Sequence, residues 1–273
     1  MKSEKVVRMW MSMLADFAPC FTRPGRGRFA ALLTGTLLAE RRPLVTEIVT
    51  ALGLQDQWRA VEAFIEQGRW PLGQVERTVS MMAAKSGRWH DRQIWSVDDL
   101  KVLKSGKNIW GACSFHEYTS RCFNRAETVW AHNWVVCGAV KLGRKKAFLT
   151  TSARLYIRKS QLPGGETFRT KPQLAVELLR NCARSSQGPH LAVFDGGYAM
   201  SSAVEPLTNP PNGQCRIDFV TRLRFDARVY EPPPPRSKGQ RGRPRKWGRR
   251  LAAPRDADLW PGRMRGCTLL HSR

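Results

Sequence analysis

Apolar residues recur at three- and four-residue spacing from Phe17 to about Ala84, the period of a helix with one buried face. Phe29-Ala30-Ala31-Leu32-Leu33 with Leu37-Leu38 predicts one helix. Pro43-Leu44-Val45-Thr46-Glu47-Ile48-Val49 predicts the next, with proline in its first turn and Gly53 placed to stop it. Val61 to Ile65 and Pro71 to Arg77 carry the pattern on to Met81-Met82. After Gly87 the text changes to short runs that suit strands: Ile94 to Val97, Asn133 to Val140, and Ala147 to Thr150 running toward Leu155-Tyr156-Ile157. Ala175, Leu178, Leu179 and Cys182 then share one helical face. Leu191 to Phe194 is a strand, Tyr198 to Leu207 a short helix, and Ile217 to Leu223 a last strand. The expectation is a small helical domain over 1–88 and an α/β domain over 89–230.

Beyond Tyr230 no core-forming pattern remains. Pro232 to Pro235 should be extended, and Arg236, Lys238, Arg241, Arg243, Arg245, Lys246, Arg249 and Arg250 follow with no acid among them. Residues 231–273 are therefore expected to be a basic loop and tail. The whole chain carries a formal net charge of +24 and a pI near 10.7, which calls for a polyanionic partner, nucleic acid before any other. No apolar stretch approaches the roughly 20 residues of a spanning helix, and Met1-Lys2-Ser3-Glu4-Lys5 does not lead into a secretory segment, so a cytoplasmic protein without membrane attachment is expected. The 7 cysteines are odd in number and scattered, with no C-x-x-C pair, which fits reduced thiols. Cys113, His116, Cys122, His132 and Cys137 match no zinc template.

Two of the strand runs end in acid: Ile94-Trp95-Ser96-Val97-Asp98-Asp99 and Leu191-Ala192-Val193-Phe194-Asp195-Gly196-Gly197. Either motif alone is an ordinary strand-end turn. Together they would bring carboxylates to one edge of a sheet, where oxygen ligands suit a hard divalent cation. Asp98 and Asp195 are the expected ligands. Asp99 is the second choice, because Asp98 directly follows the apolar strand residues. Three strands, a helix, a strand, a helix and a strand, with acids closing the first and fourth strands, is the order of a ribonuclease H-like mixed sheet with flanking helices. Arg241-Gly242-Arg243-Pro244 followed by Arg245-Lys246 is similar to an AT-hook peptide, in which extended arginines enter an A·T-rich minor groove.

The chain resembles the N-terminal part of a bacterial insertion-sequence transposase of the DDE superfamily endonuclease group. The residues that carry the resemblance are Val97-Asp98-Asp99, Ala131 to Val136, Phe168 to Ala175, Val193 to Ala199, and the run from Pro232 through Gly239 to Gly248. It implies a ribonuclease H-like core, a two-metal site using Mg2+ (or Mn2+), and cleavage and transfer of DNA strands. Asp98 and Asp195 are then metal ligands, and Arg241, Arg243, Arg245 and Lys246 contact DNA. The implied partners are transposon ends and target DNA, with a homo-oligomer or a hetero-assembly with a full-length transposase. Two departures stand out. Leu100 occupies a place usually held by threonine, and nothing from Trp247 to Arg273 is similar to the helix that bears the family's catalytic glutamate; Asp256 and Asp258 lack its surroundings. A copy truncated before its third ligand and catalytically impaired is expected, the alternative being a non-catalytic DNA-binding remnant that inhibits a full-length transposase.

Overall fold

The computed structural model describes residues 2–86, 88, 89, 91–117, 127–142, 146–211, 213–222, 227–231, 233–235, 239, 242, 243, 245–253, 270 and 271. The chain forms two compact units, Met1–Val79 and Ser80–Arg273.

The first unit is helical: α1 (Lys2–Asp16), α2 (Arg23–Leu38), α3 (Val45–Ala51), α4 (Trp58–Glu66) and the start of α5 (Leu72–Ser86). Its core is aromatic. Phe21 stacks on Phe29 at 4.6 Å, and Trp70 meets Phe64 at 4.7 Å and Phe29 at 5.8 Å between centroids. Gly35 lets α2 approach α3, since a Cβ there would lie 2.5 Å from the Ile48 side chain and 2.7 Å from its carbonyl oxygen. Gly53, at φ 66°, ends α3. Its N–H reaches the Thr50 carbonyl and the Leu54 N–H reaches that of Val49, so two orphan carbonyls of the last turn are satisfied. Pro43 stands just outside the helix, whose N-cap is Leu44, and so is not in its first turn. Helix α1 escaped the periodicity because Val6, Val7, Met9 and Met11 are all exposed; Trp10 Nε1 donates to Thr34 Oγ1 of α2 at 3.0 Å.

The second unit is built on a 7-stranded mixed sheet. Its strands are β1 (Arg88–Trp89), β2 (Arg92–Leu103), β3 (Cys113–Glu117), β4 (Glu127–Lys141), β5 (Ala147–Tyr156), β6 (His190–Phe194) and β7 (Ile217–Thr221). Strand β4 runs antiparallel to β2 on one side and to β3 and β5 on the other; β2, β6 and β7 are parallel neighbours. Helix α6 (Lys171–Arg184) makes the crossover from β5 to β6, and α7 (Ser201–Thr208) the one from β6 to β7. This is a ribonuclease H-like mixed α/β architecture preceded by a helical region, as the order of strand and helix periods predicts. Leu174, Leu178, Leu179 and Cys182 of α6 pack on Trp95, Val97, Val135, Cys137, Ala192 and Phe194, one face of three adjacent strands. Cys182 Sγ sits 3.6 Å from Cys137 Sγ and 3.2 Å from Thr151 Oγ1, in the middle of that interface.

Three features depart from the expectation. Strand β2 does not stop at its acids but continues to Leu103, held by β4 as far as the Leu103↔Ala131 pair. Strand β3 was not legible, because Cys113-Ser114-Phe115-His116-Glu117 has only a weak alternation. The segment after Tyr230 is not a featureless tail: β8 (Val229–Tyr230) pairs with β9 (Leu270–His271) and bridges to Arg250, and the Leu251 N–H reaches the Val229 carbonyl at 2.9 Å. The basic run is thus a loop closed at its base. Among the described residues no helix is long and apolar enough to cross a membrane.

Candidate metal centre

Strands β2 and β6 are in parallel register from Gln93↔His190 to Val97↔Phe194. Asp98 and Asp195 are the next residue on each, on adjacent strands whose axes lie about 4.8 Å apart. Side chains alternate across a strand, so Trp95 and Val97, with Ala192 and Phe194, face the core under α6, and Asp98 and Asp195 leave toward the other face. Both acids are exposed. What ends at Val97 is the pairing of β2 with β6, so the carboxylates stand where the two strands part rather than at the end of β2.

Each carboxylate is fixed by the backbone that follows it. The Asp99 N–H donates to Asp98 Oδ1 at 2.8 Å, and the Gly196 N–H donates to Asp195 Oδ1 at 2.7 Å. Their Oδ2 atoms accept from no described protein group, which leaves one free oxygen per acid. Gly196 is required by packing: a Cβ there would lie 2.5 Å from the Arg222 carbonyl oxygen. The pair therefore offers oxygen donors of the kind that a hard divalent cation takes. Among the described residues no group of three His, Cys, Asp or Glu gathers as a metal site, and this includes Cys113, His116, His132 and Cys137; Cys122, Asp256 and Asp258 lie outside the described residues.

Asp99 is engaged differently. It points to the α6 side, where its Oδ2 accepts from Lys171 Nζ at 2.7 Å and from Asn133 Nδ2 at 3.0 Å. Burial works to raise its pKa, but the hydrogen bonds from Lys171 and Asn133 and the charges of Lys171 and Lys101 outweigh it and hold the carboxyl below its ordinary value. Lys171 is itself placed by the start of α6. Thr170 caps that helix in a capping box with Gln173, and the ammonium lies 5.7 Å from the Phe115 and Tyr156 ring centroids. Asn133 Oδ1, buried beside this pair, lacks a partner among the described residues, and the buried Tyr198 hydroxyl neighbours Asp99. Burial, then the charges of Asp99 and Asp98, push the Tyr198 pKa far up and keep it protonated.

A family model described as DDE superfamily endonuclease matches residues 16–264. The chain belongs to that family. No curated protein matches it. As a DDE superfamily endonuclease it is of nuclease or transposase-like kind, from a family that acts on DNA and uses divalent metal ions. Sequence reasoning singled out Asp98, Asp99 and Asp195; Asn133, Lys171 and Tyr198 fell inside runs that carry the resemblance but were given no role. One signal was present: Asn133 is a polar residue opening an apolar strand run, and it is fully buried. Of the basic residues, Arg243, Arg245 and Lys246 are exposed in the loop closed by β8, and Arg241 lies outside the described residues.

Proposed function

We propose that this chain is a DDE-type DNA transposase by descent, of bacterial insertion-sequence origin, in which Asp98 and Asp195 hold Mg2+ or Mn2+. The observation that carries the reading is the pair of exposed carboxylates one residue past the last parallel pair of β2 and β6, each with one oxygen fixed and one free. A divalent cation held by such a pair supplies charge neutralisation at a scissile phosphate and activation of water or a 3′-hydroxyl. The protein's own contribution is orientation: an N–H group pins Oδ1 of each acid and leaves its Oδ2 free. The helical unit serves DNA binding or dimerisation in this reading, and Arg241, Arg243, Arg245 and Lys246 grip the DNA backbone or minor groove.

A second reading, a DNA-binding protein without catalysis, is favoured by the lack of a third clustered acid among the described residues. Two carboxylates hold a cation weakly, and in-line attack loses most of its positioning without the third. Purified 1–273 protein is accordingly expected to bind Mn2+ weakly and to cut or join labelled transposon ends at a negligible rate. Mn2+ titration of wild type, Asp98→Asn and Asp195→Asn tests the assignment. Loss of binding in both variants supports it, and unchanged binding in either removes that residue. Clear strand transfer that survives Asp195→Ala would overturn the family mechanism for this site.

A further inference from the structure

A third carboxylate, Asp99, adjoins the pair in the chain and is held away from it by its own partners. Asp99 follows Asp98 on β2, so alternation turns it to the α6 face, and in this arrangement the three acids do not gather into one cluster among the described residues. Asp98 and Asp195 keep a free oxygen, whereas Asp99 Oδ2 carries both Lys171 at 2.7 Å and Asn133 at 3.0 Å. The Lys171 and Asp99 side chains are both 28% exposed, so water screens the pair only in part. Lys171 stands at the first position of a capped helix, and its ammonium lies 5.7 Å from the Phe115 and Tyr156 ring centroids.

We propose that Lys171 is a positioning residue that locks Asp99 on the helix side of the sheet and so limits the cation to the two ligands Asp98 and Asp195. Removing the ammonium frees the Asp99 carboxylate to swing around the open edge of β2, where β6 no longer pairs with it, and adds a third oxygen ligand. Lys171 in this view sets the number of acids the cation meets. The proposal rests on the reading that Asp98 and Asp195 bind the cation, and the controls separate the two.

Mn2+ is titrated into purified 1–273 protein, with the free ion followed by electron paramagnetic resonance and folding by circular dichroism melting. Lys171→Met and Lys171→Gln should each bind Mn2+ about tenfold more tightly, the gain expected of one added interaction of about 1.4 kcal/mol. Lys171→Arg keeps the charge and should restore wild-type affinity. The gain should vanish when Asp99→Asn is combined with Lys171→Met. A role confined to anchoring α6 would lower the melting temperature without producing an Asp99-dependent gain. Folded neutral variants that bind no more tightly than wild type would overturn the proposal, as would a gain that persists without Asp99, which would be simple relief of charge repulsion. Asp99→Asn alone gives a second check in a protein that keeps Lys171: affinity should stay near wild type, and a loss as large as that of Asp98→Asn would show Asp99 already to be a ligand. If Asp98→Asn and Asp195→Asn leave Mn2+ binding intact, the reading of the site fails instead, whatever Lys171 does.

Discussion

At the scale of single residues, Gly196 decides where Asp195 can stand. Its N–H holds Asp195 Oδ1, and its missing Cβ admits the Arg222 carbonyl, a backbone group that cannot rotate away. Gly196→Ala should therefore cost about 1–3 kcal/mol, as overpacking does, and weaken Mn2+ binding as well. Gly197→Ala has nothing within 4 Å and should leave both unchanged, so denaturant melts and Mn2+ titration of the two variants form a matched test. Asp218 offers a pH readout away from the site. Arg92 bonds to it at 2.8 Å and Arg216 at 3.0 Å, and the Arg92 hydrogen bond leads in holding its pKa below the ordinary value. A carboxyl with a lowered folded pKa stabilises above its unfolded pKa and loses that contribution as pH falls through the folded one. Asp218→Asn should thus be less stable than wild type at neutral pH, by less than about 1 kcal/mol because the pair is solvent-exposed, with the gap closing below about pH 4. The acids were legible because each sits in a local motif. The Lys171 bond to Asp99 spans 72 residues, and nothing local to either residue announces it.

Helix α6 is the element on which the site depends most, because it covers the core face of the sheet and delivers Lys171 at its first turn. The capping box of Thr170 and Gln173 sets where that turn begins. Thr170→Ala should cost about 1 kcal/mol through the lost cap. Leu178→Ala, at a fully buried position, should cost about 2–5 kcal/mol through a cavity. Denaturant melts of the two rank the contributions, and a Leu178→Ala loss no larger than that of Thr170→Ala would contradict the packing described for α6. The same element shows why most of the fold was legible. Its apolar residues recur on one face, and β2, β4, β5, β6 and β7 each carry enough apolar or β-branched residues to mark a strand. Where side chains meet water on the apolar side, as in α1, or alternate weakly, as in β3, the pattern disappears although the backbone is regular. The end of β2 was misjudged for a related reason: Asp98-Asp99 reads as a turn, while pairing with β4 carries the strand six residues beyond Val97 to Leu103.

For the whole molecule, the net charge of +24 is the property most directly tied to DNA. Cations bound to phosphates release condensed counterions, so the logarithm of affinity falls with the logarithm of salt by about 0.9 for each phosphate engaged. Arg243, Arg245 and Lys246 are exposed on a loop whose ends are tied by β8 and the Arg250 bridge, which keeps these charges together without burying them. Replacing all three by alanine should leave the circular dichroism melt unchanged, because none of them contributes to a core. The salt slope for duplex DNA should become shallower by up to about three, one unit for each lost phosphate contact. If the loop enters the minor groove, the preference for A·T-rich over G·C-rich duplexes should fall in the same variant, since arginine is drawn to the stronger negative potential of a narrow groove. A smaller slope with unchanged sequence preference would make the loop a backbone clamp. An unchanged slope would place the DNA contacts among other basic residues of the chain and remove the loop from the interface.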